Sequence, residues 1–451
     1  MGSNENYLNR FVESAKKEYG QGYDSLRFLT PEEAVRAVSK RTELLESLKG
    51  KIKWDYSGTK TDSENLSPGC RLCGSGEWSC LFINNKCNCS CFYCPASQDE
   101  KGVPATNTVS FPAPEEYAAY LKKFGFKGAS ISGGEPLLTP KLTLAFIRTI
   151  KKAFGNNIYL WMYTNGTLAD DEILTSLRDA GLDEIRFDIG ATSYKLDNLK
   201  RACGVIPTVT VEIPAIPEEK ELLQKLMPEL AEMGVKHLNL HQLRLTPYNF
   251  EKLIKRNYTY IHGDRVTVLE SELTALEVIK YGKDNNINLP VNYCSFVYKN
   301  RFQAAGARRR NAGFIMKGYE TLTESGFIRT FCLKGDSNVL TSLSSSFSEG
   351  LFMMNGGELY VHPSLMKNLD LCGIKVVIRY SAARQMGSVS YHNPFMEVKV
   401  TKSKKIAVER YRTGDEIILE QDEAASFADK GTLPERFDEY EFVKEGLQEY
   451  I

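Results

Sequence analysis

From about residue 75 the chain alternates short apolar runs with amphipathic stretches of helical length, and this rhythm limits the fold more than any other feature. The runs are CLFINN (80–85), ASISGG (129–134), IYLWMYTNG (158–166), EIRFDIG (184–190), TVTVEIPAI (208–216) and HLNLHQL (237–243). Between them lie PEEYAAYLKKFG, KLTLAFIRTIKKAFG, DDEILTSLRDAG and EEKELLQKLMPELAEMG, each ending at a glycine where a helix C-cap belongs. Short apolar strands, each followed by a helix of about three or four turns, are what repeated right-handed βαβ crossovers require. The pattern predicts an α/β fold with a parallel sheet. Six such units are too few for a closed eight-stranded barrel, so an open barrel and a doubly wound sheet both satisfy it.

The flanks differ in character. Residues 1–65 read as a polar helical extension, in which TPEEAVRAVSKRTELLESLKG opens on Thr30 as N-cap, Pro31 at the first helical position and Glu33 in the capping-box position. After about residue 315 the pattern turns to strand-like runs (GELYVHP, IKVVIRYSA, FMEVKVTK, KIAVERYR, DEIILEQ), with TSLSSSFSEG as a loop near their start. These imply a small, mostly antiparallel C-terminal domain. The expected division is therefore 1–65, 66–314 and 315–451. In a chain of 451 residues with 42% hydrophobic content, at least one large core is affordable. Lys plus Arg equals Asp plus Glu at 57 each, so no global field draws the chain to nucleic acid or anionic lipid. There is no apolar run of about 18 residues, so no membrane partner is expected and the default location is cytoplasmic.

Of eleven cysteines, seven lie between Cys70 and Cys94, and four stand in the eight residues CNCSCFYC (87–94). A disulfide framework would spread its thiols to staple distant segments, whereas a metal centre gathers them at one point. Cys87, Cys91 and Cys94 have the spacing C-x3-C-x2-C, which lets a short loop give one thiolate to each of three irons of a cubane and leaves the fourth iron open. A four-cysteine zinc site using Cys70, Cys73 and two later cysteines is the competing reading.

The aromatic Tyr93 before the last of these cysteines, the position of the loop after a first strand, and SGGEP about 40 residues later together resemble the radical S-adenosylmethionine (radical SAM) superfamily over roughly residues 75–245. That resemblance implies a partial (β/α)6 barrel, a [4Fe-4S] cluster on Cys87, Cys91 and Cys94, and S-adenosylmethionine chelating the open iron. It places Gly133, Gly134 and Glu135 along the methionine part of the cofactor and Tyr93 beside the adenine. Thr164 and Asn165 end the third strand, Asp188 lies on the fourth and Glu212 on the fifth, where side chains at C-terminal strand ends face the cavity, so all are candidates for cofactor contacts. Asn165-Gly166 also reads as a plain turn. His241 and Gln242 on the sixth strand point one inward and one outward, and a structural role suits the histidine. Cys89, a fourth thiol within the motif, reads as a surface residue.

Cys70 and Cys73 form a second pair that needs further ligands, for which Cys294 and Cys80 are the candidates. The GCxxC element before the first strand and the YCS element after the last barrel unit resemble a branch of the superfamily related to pyruvate formate-lyase activating enzyme, and more loosely the tRNA wyosine synthase that carries an auxiliary cluster. This implies a second [4Fe-4S] cluster on Cys70, Cys73 and Cys294, with a zinc clip or purely structural thiols as the alternative. Cys203, Cys332 and Cys372 read as core thiols. The chemistry implied is reductive cleavage of S-adenosylmethionine, with an electron from a flavodoxin or ferredoxin, and hydrogen abstraction from a small molecule, peptide or tRNA. The basic run KNRFQAAGARRR could hold phosphate or be a solvated face, and the strand-rich domain could take a peptide by strand addition. A non-catalytic iron–sulfur or zinc protein is the remaining class.

Overall fold

The computed structural model describes residues 2–98, 102–367, 369–389 and 391–450, with the backbone alone for residues 2–7. The chain divides into two compact units. One comprises residues 1–106, 110–300 and 445–451, the other residues 107–109 and 301–444.

In the first unit the strands are β1 (Trp78–Phe82), β2 (Gly128–Ser132), β3 (Tyr159–Thr164), β4 (Glu184–Phe187), β5 (Thr208–Pro214), β6 (His237–His241) and β7 (Val291–Cys294). They lie in the order β7-β6-β5-β4-β3-β2-β1 and every neighbouring pair is parallel. Each sequence-predicted helix is present between its strands: α4 (Pro114–Lys123), α5 (Pro140–Phe154), α6 (Asp171–Asp179) and α8 (Lys220–Glu232). The β/α succession of a partial barrel is thus in place, and β7 adds a parallel strand after α9 (Leu269–Asp284). Four residues of VNYC are too few to show a period, which is why this strand is invisible in the sequence.

The N-terminal residues belong to the same unit. Helix α1 spans Gly2–Tyr19 and α2 spans Pro31–Leu48. The predicted capping box opens α2, with Thr30 Oγ1 accepting from the Glu33 N–H at 3.2 Å and Glu33 accepting from the Thr30 N–H at 3.0 Å. The short α3 (Pro68–Gly74), capped by Ser67, carries Cys70 and Cys73.

Successive strand residues alternate faces, and the inward positions of β4 and β5 are charged. Arg186 donates to Glu184 at 2.9 Å, to Glu212 at 2.6 Å and to Ser67 at 3.1 Å. Its guanidinium lies 5.1 Å from the Trp161 ring. A side chain on Gly69 would collide with Arg186, so α3 packs against this ion cluster only through a glycine.

The second unit is an antiparallel sheet built from β8 (Ile328–Lys334), β9 (Phe352–Asn355), β10 (Glu358–Val361), β11 (Lys375–Met386), β12 (Phe395–Lys399), β13 (Lys405–Arg412) and β14 (Ile417–Leu419). Its order is β9-β10-β8-β11-β13-β12, with β14 against the first half of β11. Phe331, Leu333, Val376, Ile378 and Phe427 fill its core. Three readings are corrected here. The central strand β8 (IRTFCLK) was not expected, because its charged ends mask a buried middle. The serine-rich stretch is a loop only in its second part: its first four residues end a helix over Ser337–Ser344, which Asp336 caps through the Asn338 and Val339 N–H groups and buried Leu340 anchors, and residues 345–350 run on as turns. Cys372 is exposed and is no core thiol.

The Arg186 cluster yields the first prediction. Arg186→Ala leaves Glu184 and Glu212 buried without their cation and should cost ~3–5 kcal/mol of stability, measured by urea unfolding of the iron-free protein. A loss under 1 kcal/mol would refute it.

Candidate active site

The cysteine loop leaves β1 and folds back over the ends of β2 and β3. Asn84, almost fully buried, holds its base: its amide donates to the Glu135 carbonyl at 3.2 Å and to Thr139 at 2.9 Å, and accepts from the Lys86 N–H at 2.9 Å. The Glu135 N–H in turn donates to the Lys86 carbonyl at 2.8 Å. Gly133 and Gly134 have φ of +83° and +54°. A Cβ on Gly133 would sit 2.6 Å from Phe82 Cβ, and one on Gly134 would collide with the Lys86 carbonyl. The pair therefore lets the strand end touch the cysteine loop, where the sequence suggested only approach to a ligand.

Within the loop the Cys87 N–H donates to the Gln98 carbonyl at 3.1 Å, the Cys94 N–H to the Cys91 carbonyl at 3.3 Å, and Gln98 Nε2 to Cys94 Sγ at 2.6 Å. Burial pushes the Cys91 thiol up to about 12, with the Asp188 carboxylate adding to it. Burial likewise raises Cys94 and Cys89. Binding iron at these thiols must therefore release protons. Cys89 is half-buried rather than free on the surface, and its N–H lies 3.4 Å from Cys87 Sγ.

The remaining predicted residues converge on this loop by hydrogen bonds. Glu135 accepts from Thr164 Oγ1 at 2.8 Å and from the Leu137 and Asn165 N–H groups at 2.9 and 2.7 Å. A carboxylate offers about four lone-pair positions, so one acceptor position is left. Burial raises the pKa of Glu135 against these bonds. Asn165 Nδ2 donates to Asn88 at 2.8 Å and lies 3.7 Å from Cys87 Sγ. Tyr93 donates to Asp188 at 2.9 Å, and burial pushes the Asp188 carboxyl up to about 6. Glu212 stands apart. Burial works to raise it, yet Arg186 and His241 hold it well below the carboxylate range, and its oxygens are taken by Arg186, His241 at 2.7 Å and Asn239 at 3.0 Å.

A second group of thiols lies on α3 and β7. Burial raises Cys73, and the neighbouring Cys294 and Cys70 raise it further. Asn239 Nδ2 donates to Cys70 Sγ at 3.4 Å. Cys294 goes the other way: although burial opposes it, Lys60, Lys299 and a hydrogen bond with His241 bring it down to about 6. Cys80, on β1, is pushed up to about 11 by burial and is held by Ser130. The His241 side chain keeps 27% of its exposure although it sits among these groups, so it borders water-accessible space inside the barrel. Among the described residues no three such side chains close tightly enough around a single ion; a cubane spaces its ligands more widely. A polar cleft of about 720 Å³ lies elsewhere, over Arg71 and Glu77, and contains none of the candidate residues.

The sequence profile of the radical SAM superfamily matches residues 81–213. The "Putative glycyl-radical enzyme activating enzyme" of Methanocaldococcus jannaschii is 33% identical over 278 residues, 59% of this chain and 72% of the relative. This chain belongs to the radical SAM superfamily. The "Probable GTP 3',8-cyclase" of the same organism is 36% identical over 119 residues, 26% of this chain and 37% of the cyclase. Among solved structures, Streptococcus suis SuiB bound to S-adenosylmethionine aligns with a TM-score of 0.38 and 14% identity, covering 64% of this chain and 61% of SuiB.

A radical SAM protein is an enzyme that uses a [4Fe-4S] cluster and S-adenosylmethionine, and it needs an electron donor and a substrate. The loop fits that pair: three half-buried thiols on a glycine-seated turn, next to a carboxylate with an acceptor position to spare. No described helix is long and apolar enough to cross a membrane. Sequence reasoning missed Arg186, Asn239 and Lys60. For Arg186 a signal existed: Glu184 and Arg186 occupy alternate positions of one buried strand, which puts two ionisable groups on one face, while Asp188 lies just past the strand end and not on it as expected.

Gly134→Ala should strain the turn by ~1–2 kcal/mol and push the loop off Lys86. The expected result is several-fold lower iron uptake on anaerobic reconstitution with unchanged far-ultraviolet circular dichroism. Full iron uptake would contradict the seating role.

Proposed function

We propose that this enzyme abstracts a hydrogen atom from a polar substrate held inside the barrel, between a [4Fe-4S] cluster on Cys87, Cys91 and Cys94 and a second cluster on Cys70, Cys73 and Cys294. The observation that carries the reading is that α3, which bears Cys70 and Cys73, lies against β7, which ends on Cys294, with Asn292 Nδ2 3.9 Å from Cys70 Sγ, in the unit whose β1 loop bears the first cysteine set. Held by these residues, the cluster and S-adenosylmethionine would supply reductive C5′–S cleavage, with one electron from a flavodoxin or ferredoxin, and so the means of taking a hydrogen atom from the substrate.

The chain's own residues divide the work. Glu135, held rigid by the ends of β2 and β3, has an acceptor position for the cofactor ammonium. Gly133 and Gly134 keep that edge free of side chains. Tyr93 is fixed by its bond to Asp188 and offers a ring face beside the loop. Thr164 and Asn165 brace Glu135 and the loop, so they act as positioning residues. Glu212, fully engaged by Arg186, His241 and Asn239, sets the charge of the lumen and the orientation of His241 in place of a cofactor contact.

RNA as substrate finds less support. Arg308 donates to the Ser325 carbonyl at 2.6 Å and Arg309 to the Glu324 carbonyl at 2.6 Å, so the basic run is largely spent within its own unit. A second reading follows the name of the 33% identical relative: the hydrogen donor is a glycine of a partner protein. A stable radical signal on such a partner would distinguish it.

Alanine at Cys87, Cys91 and Cys94 together should abolish 5′-deoxyadenosine formation with dithionite and lower bound iron from about eight to about four per chain. Alanine at Cys70, Cys73 and Cys294 should also leave about four irons but retain cofactor cleavage. Four irons in the unaltered protein would rule out the second cluster, and cleavage by the first variant would sink the whole reading.

A further inference from the structure

Lys60 is only 1% exposed, and an ammonium taken out of water costs several kcal/mol unless it is paired. The loop that carries it is tightly specified. Tyr56, Ser57 and Gly58 have φ of 52°, 51° and 73°, which turns the chain back so that Lys60 pairs with Asp55 on one side and, antiparallel, with the backbone of Cys294 on the other. Thr61 Oγ1 accepts from the Tyr293 N–H at 2.8 Å and locks the register.

The acids around it are committed elsewhere. Asp62 binds Lys283 at 3.1 Å and Asn65 at 3.0 Å. Asp55 accepts from the Tyr56 N–H at 2.8 Å, and Glu212 serves Arg186, His241 and Asn239. Among the described residues Lys60 forms no ion pair. What faces its ammonium is the Tyr298 ring at 4.4 Å, whose hydroxyl donates to the Cys70 carbonyl at 3.5 Å, and its own backbone pairs with that of Cys294. Lys299 also bears on Cys294, but it is half-buried and shares its ammonium with His241 Nδ1 at 3.3 Å. Arg186 is already matched by Glu184 and Glu212. Among the described residues Lys60 is therefore a buried, fixed positive charge without a carboxylate partner, paired through its backbone with Cys294.

We propose that Lys60 is the counter-charge of an anionic iron–sulfur unit on Cys70, Cys73 and Cys294, and that it raises the reduction potential of that unit. The inference rests on the second-cluster reading above. Three thiolates on a doubly positive [4Fe-4S] core leave one net negative charge, which Lys60 balances. Reduction adds a second negative charge, and a fixed cation in a low-dielectric interior favours that state. The unit thereby becomes the better acceptor for an electron leaving a substrate radical.

The test uses the full chain with Cys87, Cys91 and Cys94 replaced by Ala, so that only the second site can load. After anaerobic reconstitution, Lys60→Met should shift the midpoint, read by paramagnetic resonance during redox titration, so that the oxidised-to-reduced ratio at fixed potential rises at least tenfold, ~59 mV for one electron. Lys60→Arg should restore most of it. Loss of iron in Lys60→Met that returns in Lys60→Arg also supports the counter-charge. Full loading with an unchanged midpoint overturns the role of Lys60. Failure of the Lys60 parent to bind iron overturns the second cluster with it.

Discussion

The guanidinium of Arg186 is the hub on which the barrel interior depends. It joins β4 to β5 through Glu212, satisfies Glu184 on its own strand, and reaches Ser67 at the start of α3. Breaking a buried ion cluster of this kind leaves charges that water cannot reach. The same Glu212 fixes His241 and Asn239, which touch the thiols of Cys294 and Cys70. Packing, electrostatics and the placement of these thiols are thus one network, and the polar lumen follows from it.

Two thiol sets are treated differently by this environment. The β1 loop is seated from outside by backbone hydrogen bonds and a pair of left-handed glycines, and its constraint is geometric. The α3 and β7 set is seated from within by fixed charges, which pull Cys294 down while burial holds Cys73 up. A site with geometric control suits a cofactor that must enter and leave. A site with electrostatic control suits a permanent redox centre whose potential matters more than access.

Much of the fold was legible because its signals are local. The helices end at glycines, the capping box at Thr30 and Glu33 uses only neighbouring backbone, and the strands of the barrel are continuous apolar runs. The cysteine motif and SGGEP are equally local, and the glycines are needed at the positions where they stand. The signals failed where burial depends on distant partners. Strand β7 is short and gains its definition from pairing with β6; β8 is central in its sheet yet bracketed by charge; the serine-rich helix is held by one cap and one buried leucine.

The sequence by itself determined the parallel α/β succession, the family and the thiols of the first loop, since each is written in spacing and period along one stretch of chain. Only the tertiary structure decided that Glu212 is an ion-pair partner and not a free carboxylate, that the backbone of Cys294 pairs with that of Lys60, and that Lys60, almost fully buried, has no ion pair among the described residues. These depend on side chains hundreds of residues apart meeting in a low-dielectric interior, where the sign and exposure of every neighbour enter the energy and no local pattern records them.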